Sequence, residues 1–322
     1  MPPPVTHDAA VMHAVLGTTL RAVHGPAARL EGWTTDAHFT EHGKRRVVRY
    51  DLQVRVDGVE RAERYQWVGK AYDRDDEGPR VAAVLRELAS GDCGTRGSLA
   101  VPRVLAYHAA HRLLLVTYEQ GESVSSAIAH DTAAVLAAMG RALAALHTTS
   151  VAVEGVLSPA LVLDDLRPRI VELAARLPEE RKSLRHALRD LEGAVPPLPA
   201  APSFVHGDFG PANLLWRAGE LVVLDFDKCR RGDPAADLGN LLAQLRRMTV
   251  RKPDKLRDFA AARAAVLGAY RPGTRPDPTL DHRVAWYERA TLLRKVHRVA
   301  LAATAVAEET TRLLRICETH AA

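Results

Sequence analysis

A chain of 322 residues with 47% apolar side chains is long enough for two domains or one large two-lobed one, and it can bury a sizeable core. Its three cysteines, Cys93, Cys229 and Cys317, are too few and too scattered for a disulfide framework or a CxxC zinc site, which points to a reducing cytoplasm. The net charge of +5 comes without long basic runs or interleaved aromatics, and no apolar run is long enough to cross a bilayer, so neither nucleic acid nor a membrane is an expected partner.

The N-terminal residues lack the apolar stretch of a signal peptide. The predicted elements begin with a helical lead-in over residues 5 to 31, apolar at Val11, Val15 and Leu16. Residues 46–56 partly alternate and read as a strand, Asp57-Gly58 as a tight turn, and residues 65–72 as the hairpin partner. Pro79, with Asp76 or Glu77 as cap, opens a helix through Leu88 whose buried stripe is Val81, Val84, Leu85 and Leu88. Two more strands are predicted over residues 101–105 and 112–118. Residues 1–118 thus read as a small β-rich lobe with one helix.

Residues 119–322 read as mostly helical. Residues 132–147 are strongly periodic, apolar at Val135, Leu136, Met139, Leu143 and Leu146, and residues 157–191 hold two further helical stretches. A Pro-rich connector over residues 195–202 gives a stiff approach to the segment after it. Helices are expected from about Asp237, from Leu256, and from Thr279 to the end.

Between connector and helices lies the segment richest in chemistry. Ser203-Phe-Val-His-Gly-Asp-Phe-Gly-Pro-Ala-Asn213 is followed by the apolar strand Val222-Val-Leu-Asp-Phe-Asp227. Phosphoryl transfer from a nucleotide needs a carboxylate to orient the attacking hydroxyl, and a further carboxylate and an amide oxygen to hold Mg²⁺ against the phosphates. The protein-kinase loop H-R-D-x-x-x-x-N here reads H-G-D-x-x-x-x-N, with Gly207 in place of Arg.

With Gly232-Asp-Pro-Ala-Ala-Asp-Leu-Gly239 downstream, this segment resembles the aminoglycoside phosphotransferase family, the wider group that includes choline and other small-molecule kinases. The resemblance implies an α+β, protein-kinase-like two-lobed fold with a nucleotide-binding N-lobe and an acceptor site in the helical C-lobe. It implies Asp208 as the catalytic carboxylate, and Asn213 and Asp225 as Mg²⁺ ligands. Asp227 is either a further metal contact or a structural residue. Asp237 either ties the loop backbone to the following helix or is an ordinary N-cap. His206 is expected to organise the loop, Gly207 and Gly210 to allow it unusual backbone angles, and Lys228 to be solvated.

In the N-lobe the resemblance assigns Lys70 to the α- and β-phosphates of ATP or GTP. The glutamate that should pair with it is missing, because Val81 takes its place, and Glu77 or Glu87 is the substitute. Lys44, in the lone-glycine loop over residues 40–46, meets phosphate or is part of a basic turn, and Tyr118 lies on the hinge segment 116–121 or in the core. For a cationic acceptor, Asp164, Asp165, Glu172, Glu288, Glu308 and Glu309 are available, or are solvated helix charges.

The expected activity is transfer of a γ-phosphoryl group to a hydroxyl of a small molecule. An antibiotic, aminoglycoside-like or nucleoside, would make the protein a resistance enzyme, and a sugar or amino alcohol would make it a metabolic kinase. The rival from another class is a catalytically silent nucleotide-binding module. A protein kinase is disfavoured because no activation segment with A-P-E follows Asp227.

Overall fold

The computed structural model describes residues 8–36, 46–56, 62–91, 99–199, 201–301 and 307–319. The chain divides into two compact units, Met1–Gly91 with Val101–Gln120, and Asp92–Ala100 with Gly121–Ala322. The predicted turn at Asp57-Gly58, the loop carrying Lys44, and Cys93 lie outside the described residues.

The first unit begins with helix α1 (Ala9–His24), capped by the Asp8 carboxylate, which accepts from the backbone N–H of Ala10 and Val11. Gly25 ends the helix at φ 93° and Pro26 follows, so residues 28–31, expected to continue the helix, instead enter strand β1 (Ala28–Thr35). β2 (Arg46–Val56) pairs antiparallel with both β1 and β3 (Glu63–Ala71). After α2 (Glu77–Ser90), β4 (Val104–His108) and β5 (Leu113–Thr117) complete a sheet of order β1-β2-β3-β5-β4. Met12, Val15, Leu16 and Leu20 of α1 cover this sheet at Tyr50, Leu52, Trp67, Leu113 and Leu115. The stripe expected on α2 is buried at Val81, Val84, Leu85 and Leu88. Asp76 stands at the N-cap position without a capping bond, its carboxylate instead paired with Arg74.

The second unit opens with β6 (Glu122–Ser123), the short helix α3 (Val124–Ala127) and α4 (Thr132–Thr148). The five apolar positions read from the periodicity of α4 are all buried. β7 (Val156–Leu157), α5 (Pro159–Arg176), α6 (Arg181–Gly193) and β8 (Ser203–Val205) follow. β9 (Leu214–Arg217) and β10 (Glu220–Val223) form an antiparallel hairpin that β6 extends. β11 (Arg230–Gly232) pairs with β8 on one side and β7 on the other.

Four helices complete the unit: α7 (Pro234–Arg251), α8 (Phe259–Tyr270), α9 (Leu280–Leu301) and α10 (Ala307–Thr319). Their contacts are close. A Cβ on Gly239 would stand 2.6 Å from the Glu288 backbone nitrogen, and one on Gly140 would stand 2.3 Å from the Val266 carbonyl oxygen. Such approaches need a residue without a side chain. Among the described residues no helix is long and apolar enough to cross a membrane.

Candidate active site

The buried strand residues Phe204 and Val205 carry the chain into the loop 206–213, and helix α7 holds that loop from behind. Asp237 accepts hydrogen bonds from the backbone N–H of His206 (2.6 Å) and Gly207 (2.9 Å), and its Oδ2 lies 3.2 Å from His147 Nε2. Three residues on, and therefore on the same face of α7, Asn240 donates to the Phe209 carbonyl at 2.9 Å. Asp237 is thus the tie between loop and helix, and the N-cap alternative fails. The cap is Asp233, which accepts from the Ala235 N–H, and Asp237 sits inside the first turn of α7.

Burial alone would push the Asp237 carboxyl up. The hydrogen bond and charge of His147, together with the His206 amide, outweigh it and hold the carboxyl below its ordinary range.

His206 is fully buried and braces the loop internally. Its Nε2 is 3.0 Å from the Leu224 carbonyl, and its Nδ1 accepts from the Asp208 N–H at 3.2 Å. Those partners place the proton on Nε2 and leave Nδ1 as the acceptor. Gly207 adopts φ 78°, and a Cβ there would meet the Lys228 carbonyl at 2.5 Å. Gly210 does not take an unusual angle. Its backbone is extended, and a Cβ there would displace the end of the Gln244 side chain, 2.0 Å away.

The loop ends in a single 3₁₀ turn, Pro211–Asn213. There the Asn213 amide nitrogen donates to the Asp208 carbonyl at 3.0 Å, which fixes the side chain and turns its oxygen the other way. Across the β9–β10 hairpin, Asp225 is half-buried with φ 63° and ψ 68°, a left-handed backbone that an L-residue holds at a cost. Asp227 is buried. Among the described residues no group of three or more His, Cys, Asp or Glu is arranged to hold a metal ion. Mg²⁺ retains waters and takes phosphate oxygens, and an amide oxygen and a carboxylate, as Asn213 and Asp225 carry, are the hard donors it prefers.

The Asp208 carboxylate is part-exposed and carries a contact the sequence reading missed. Lys228 is exposed, as expected, and its Nζ also lies 2.7 Å from Asp208 Oδ2. A second lysine, Lys295 on α9, stands in the field of Asp208. Burial, with the charges of Arg298, Arg247 and Arg294, brings its ammonium down to about 8 against the opposing pull of Asp208.

The acidic residues considered for an acceptor are engaged elsewhere. Asp164 pairs with Arg167, Asp165 with Arg169, and Glu172 with His297. Glu288 and Glu309, both buried, hold Arg246 and Arg247 at 2.6 Å. The Glu308 side chain lies outside the described residues.

The remaining predicted residues belong to the first unit. Lys70 is half-buried on β3, opposite Val47 and Leu114 in the ladder. Glu77 is the half-buried first residue of α2, Val81 is buried, and Glu87 is exposed near the end of that helix. Tyr118 donates its backbone N–H to the Gln66 carbonyl at 3.1 Å, with the Arg49 guanidinium 5.3 Å from its ring centroid. It lines a groove of about 660 Å³ with Thr34, Asp51, Arg64 and Gln66.

Residues 31–276 match the phosphotransferase enzyme family. Compared by sequence with curated proteins, the chain matches none. Among solved structures it resembles a thermostable mutant of the aminoglycoside phosphotransferase APH(4)-Ia (TM-score 0.59, 15% identity, 95% of this chain and 98% of that one). It also resembles the macrolide 2′-phosphotransferase MphH from Brachybacterium faecium (0.53, 23%, 93% and 96%). A third is a choline/ethanolamine kinase family protein from Mesorhizobium loti (0.54, 16%, 96% and 94%). These likenesses run over nearly the whole of each chain and share its α+β, protein-kinase-like fold.

Proposed function

Because the chain belongs to the phosphotransferase enzyme family, whose members phosphorylate hydroxyl groups of small molecules, we propose that it moves the γ-phosphoryl group of ATP or GTP to such a hydroxyl with Asp208 as the catalytic carboxylate. The observation that carries this reading is the loop 206–213, clamped by Asp237 and Asn240 so that Asp208 and Asn213 project from one rigid turn. Complexes of the similar aminoglycoside phosphotransferase with ADP or AMP-PNP and hygromycin B support a nucleotide donor and a small-molecule acceptor.

Asp208 accepts the hydrogen bond of the incoming hydroxyl and aligns its oxygen on the γ-phosphorus. As the new P–O bond forms, the bond to the nucleoside diphosphate breaks, and the hydroxyl proton passes to the carboxylate or to solvent. The transition state is loose, so alignment matters more than a strong base. Asn213 and Asp225 would hold Mg²⁺, which would neutralise phosphate charge, and Asp227 supports that segment from a buried position. Lys70 serves the donor phosphates, Glu77 is the nearest substitute for the missing glutamate partner, and Lys44 and Tyr118 belong to the donor site as well. The acceptor is an antibiotic, which would make this a resistance enzyme, or a metabolite, and the enzyme acts in the cytoplasm.

The test is incubation with Mg²⁺ and ATP or GTP against a mixed panel of antibiotics, nucleosides, sugars and amino alcohols, with products read by mass spectrometry. A product gaining one phosphate, and lost with Asp208→Ala, is the expected result. Turnover that survives Asp208→Ala would overturn the assignment. Nucleotide binding with no Asp208-dependent turnover of any kind would favour the silent binding module.

A further inference from the structure

The charges around Asp208 are of the wrong sign for a polycationic acceptor. Lys228 lies against its carboxylate at 2.7 Å, and Asp208 is among the charges acting on Lys295 and Arg294, neighbours on α9. Arg247 from α7 and Arg298, one turn beyond Arg294, add to the same positive field. The acids that face this group are already spoken for. Arg294 reaches Asp165 only at 3.8 Å, and that carboxylate is held at 2.8 Å by Arg169. Glu309 is held by Arg247 and Arg251, and Glu288 by Arg246.

Lys295 is the sharpest case. It is part-buried, yet among the described residues it has neither a hydrogen bond nor an ion pair. A lysine in that setting is costly unless something anionic completes it. Asp208 alone does not, since its carboxylate is bonded to Lys228 and must turn to the acceptor hydroxyl during transfer. The C-terminal half of α9 thus carries cations that feel the charge of Asp208, while Asp165, Glu288 and Glu309 are each held by an arginine.

We propose that the acceptor is itself an acid, a small molecule bearing its hydroxyl near a carboxylate or phosphate group, with Lys295 and Arg294 receiving that anion and Lys228 flanking the reacting hydroxyl. This rests on the phosphotransferase reading and narrows it. An anion so held brings the hydroxyl to Asp208 in one orientation, which is how remote binding groups raise the rate of a positioned reaction. A cationic congener would meet Lys295 and Arg294 as like charges, and a neutral one would leave Lys295 without an anion, so selection against both is built into the same groups.

The experiment uses the full chain and two matched probe series, glucosamine, glucose, gluconate and glucose 6-phosphate, and choline, glycerol, glycerate and glycerol 3-phosphate. Binding of each to protein loaded with Mg²⁺ and AMP-PNP is measured by calorimetry, and transfer from ATP by product mass. The expected result is at least tenfold preference for the acidic members. The carboxylate and phosphate arms tell which anion is favoured. Lys295→Met should raise the acceptor KM tenfold or more with a smaller effect on kcat, and Lys295→Glu should shift selection toward the cationic members.

Preference for neutral or cationic probes, absence of selective binding by any acid, or a Lys295→Met defect confined to the KM for ATP would each overturn the inference. Those outcomes leave the phosphotransferase reading standing wherever Asp208-dependent nucleotide turnover is present. Loss of that turnover would instead remove the reading on which the inference rests.

Discussion

Replacing Asp237 by alanine tests the central claim about how the loop is held. The carboxylate is 1% exposed and takes the His206 and Gly207 amides at 2.6 and 2.9 Å and His147 Nε2 at 3.2 Å. Removing it strands two backbone donors and an imidazole in a buried site. Each charge-assisted bond contributes about 1.5–3 kcal/mol and each orphaned donor costs about 1–3 kcal/mol, but such terms are not additive. Breaking one partner out of a buried pair typically costs about 3–5 kcal/mol, and that is the expected loss here.

Against a total stability of about 5–15 kcal/mol the change is large, and urea unfolding at pH 7 reads it directly as a fall in midpoint. Phosphoryl transfer should fall by about a hundredfold, because a displacement of the loop near 1 Å is enough to spoil alignment. The pH dependence has a definite sign. A carboxyl whose folded-state value is depressed contributes its stability above the unfolded value near 4 and loses it as pH falls through the folded one. The gap between wild type and variant should therefore be full at pH 7 and close below about pH 4. A loss under about 1 kcal/mol with unchanged turnover would refute the reasoning, because the donors would then have found other partners.

Three further outcomes are expected. Gly140→Ala should cost about 1–3 kcal/mol in urea unfolding, since its methyl would enter the α4–α8 contact 2.3 Å from the Val266 carbonyl, and a neutral result would mean the helices separate without penalty. Asp277, bonded to Arg283 and to Thr279, is held down to about 2, so its share of stability is present above the usual carboxylate value and is lost as pH falls from about 4 toward 2. Asp277→Asn should flatten acid unfolding over that window, and an unchanged profile would count against the pair. Lys295→Met should stabilise the protein by about 1 kcal/mol at pH 7 and abolish a rise in stability between about pH 8 and pH 10.5, where the folded lysine has lost its proton and the unfolded one has not. Destabilisation at pH 7 would mean the lysine is satisfied by contacts within the fold.

Periodicity in the sequence was sufficient where one face of an element is buried. β2 and the buried stripes of α2 and α4 came through because their apolar positions recur at strand or helix spacing. β1 did not, for a local reason. Its register slips between Leu30 and Gly32, so its inward residues do not alternate cleanly, and residues 28–31 read as a continuation of the preceding helix.

The site divides in the same manner. His206, Asp208, Asn213 and Asp225 form a spaced motif within one short segment. The contacts that give them their setting are distant in sequence: Asp208 to Lys228, twenty positions on, Phe209 to Asn240, and Glu288 back to Arg246. Only tertiary pairing creates these. Two signals in the sequence do bear on these contacts. Asn240 falls one helical turn after Asp237, and the pairs Asp165–Arg169 and Glu172–Arg176 stand at i,i+4, which marks those acids as engaged before any acceptor arrives.

The clamp on the loop grips peptide groups and no side chains. His206 and Gly207 are held through their amides, Phe209 through its carbonyl, and Asn213 completes the turn on the carbonyl of Asp208. Peptide groups are common to every amino acid, so substitutions along the loop leave the grip in place so long as the His206 and Asn213 side chains and the left-handed backbone of Gly207 are kept. Length is a different matter. Inserting or deleting one residue between Gly207 and Asn213 would move every anchored group out of step with α7. Laboratory evolution of this segment should therefore recover many point variants and no indels.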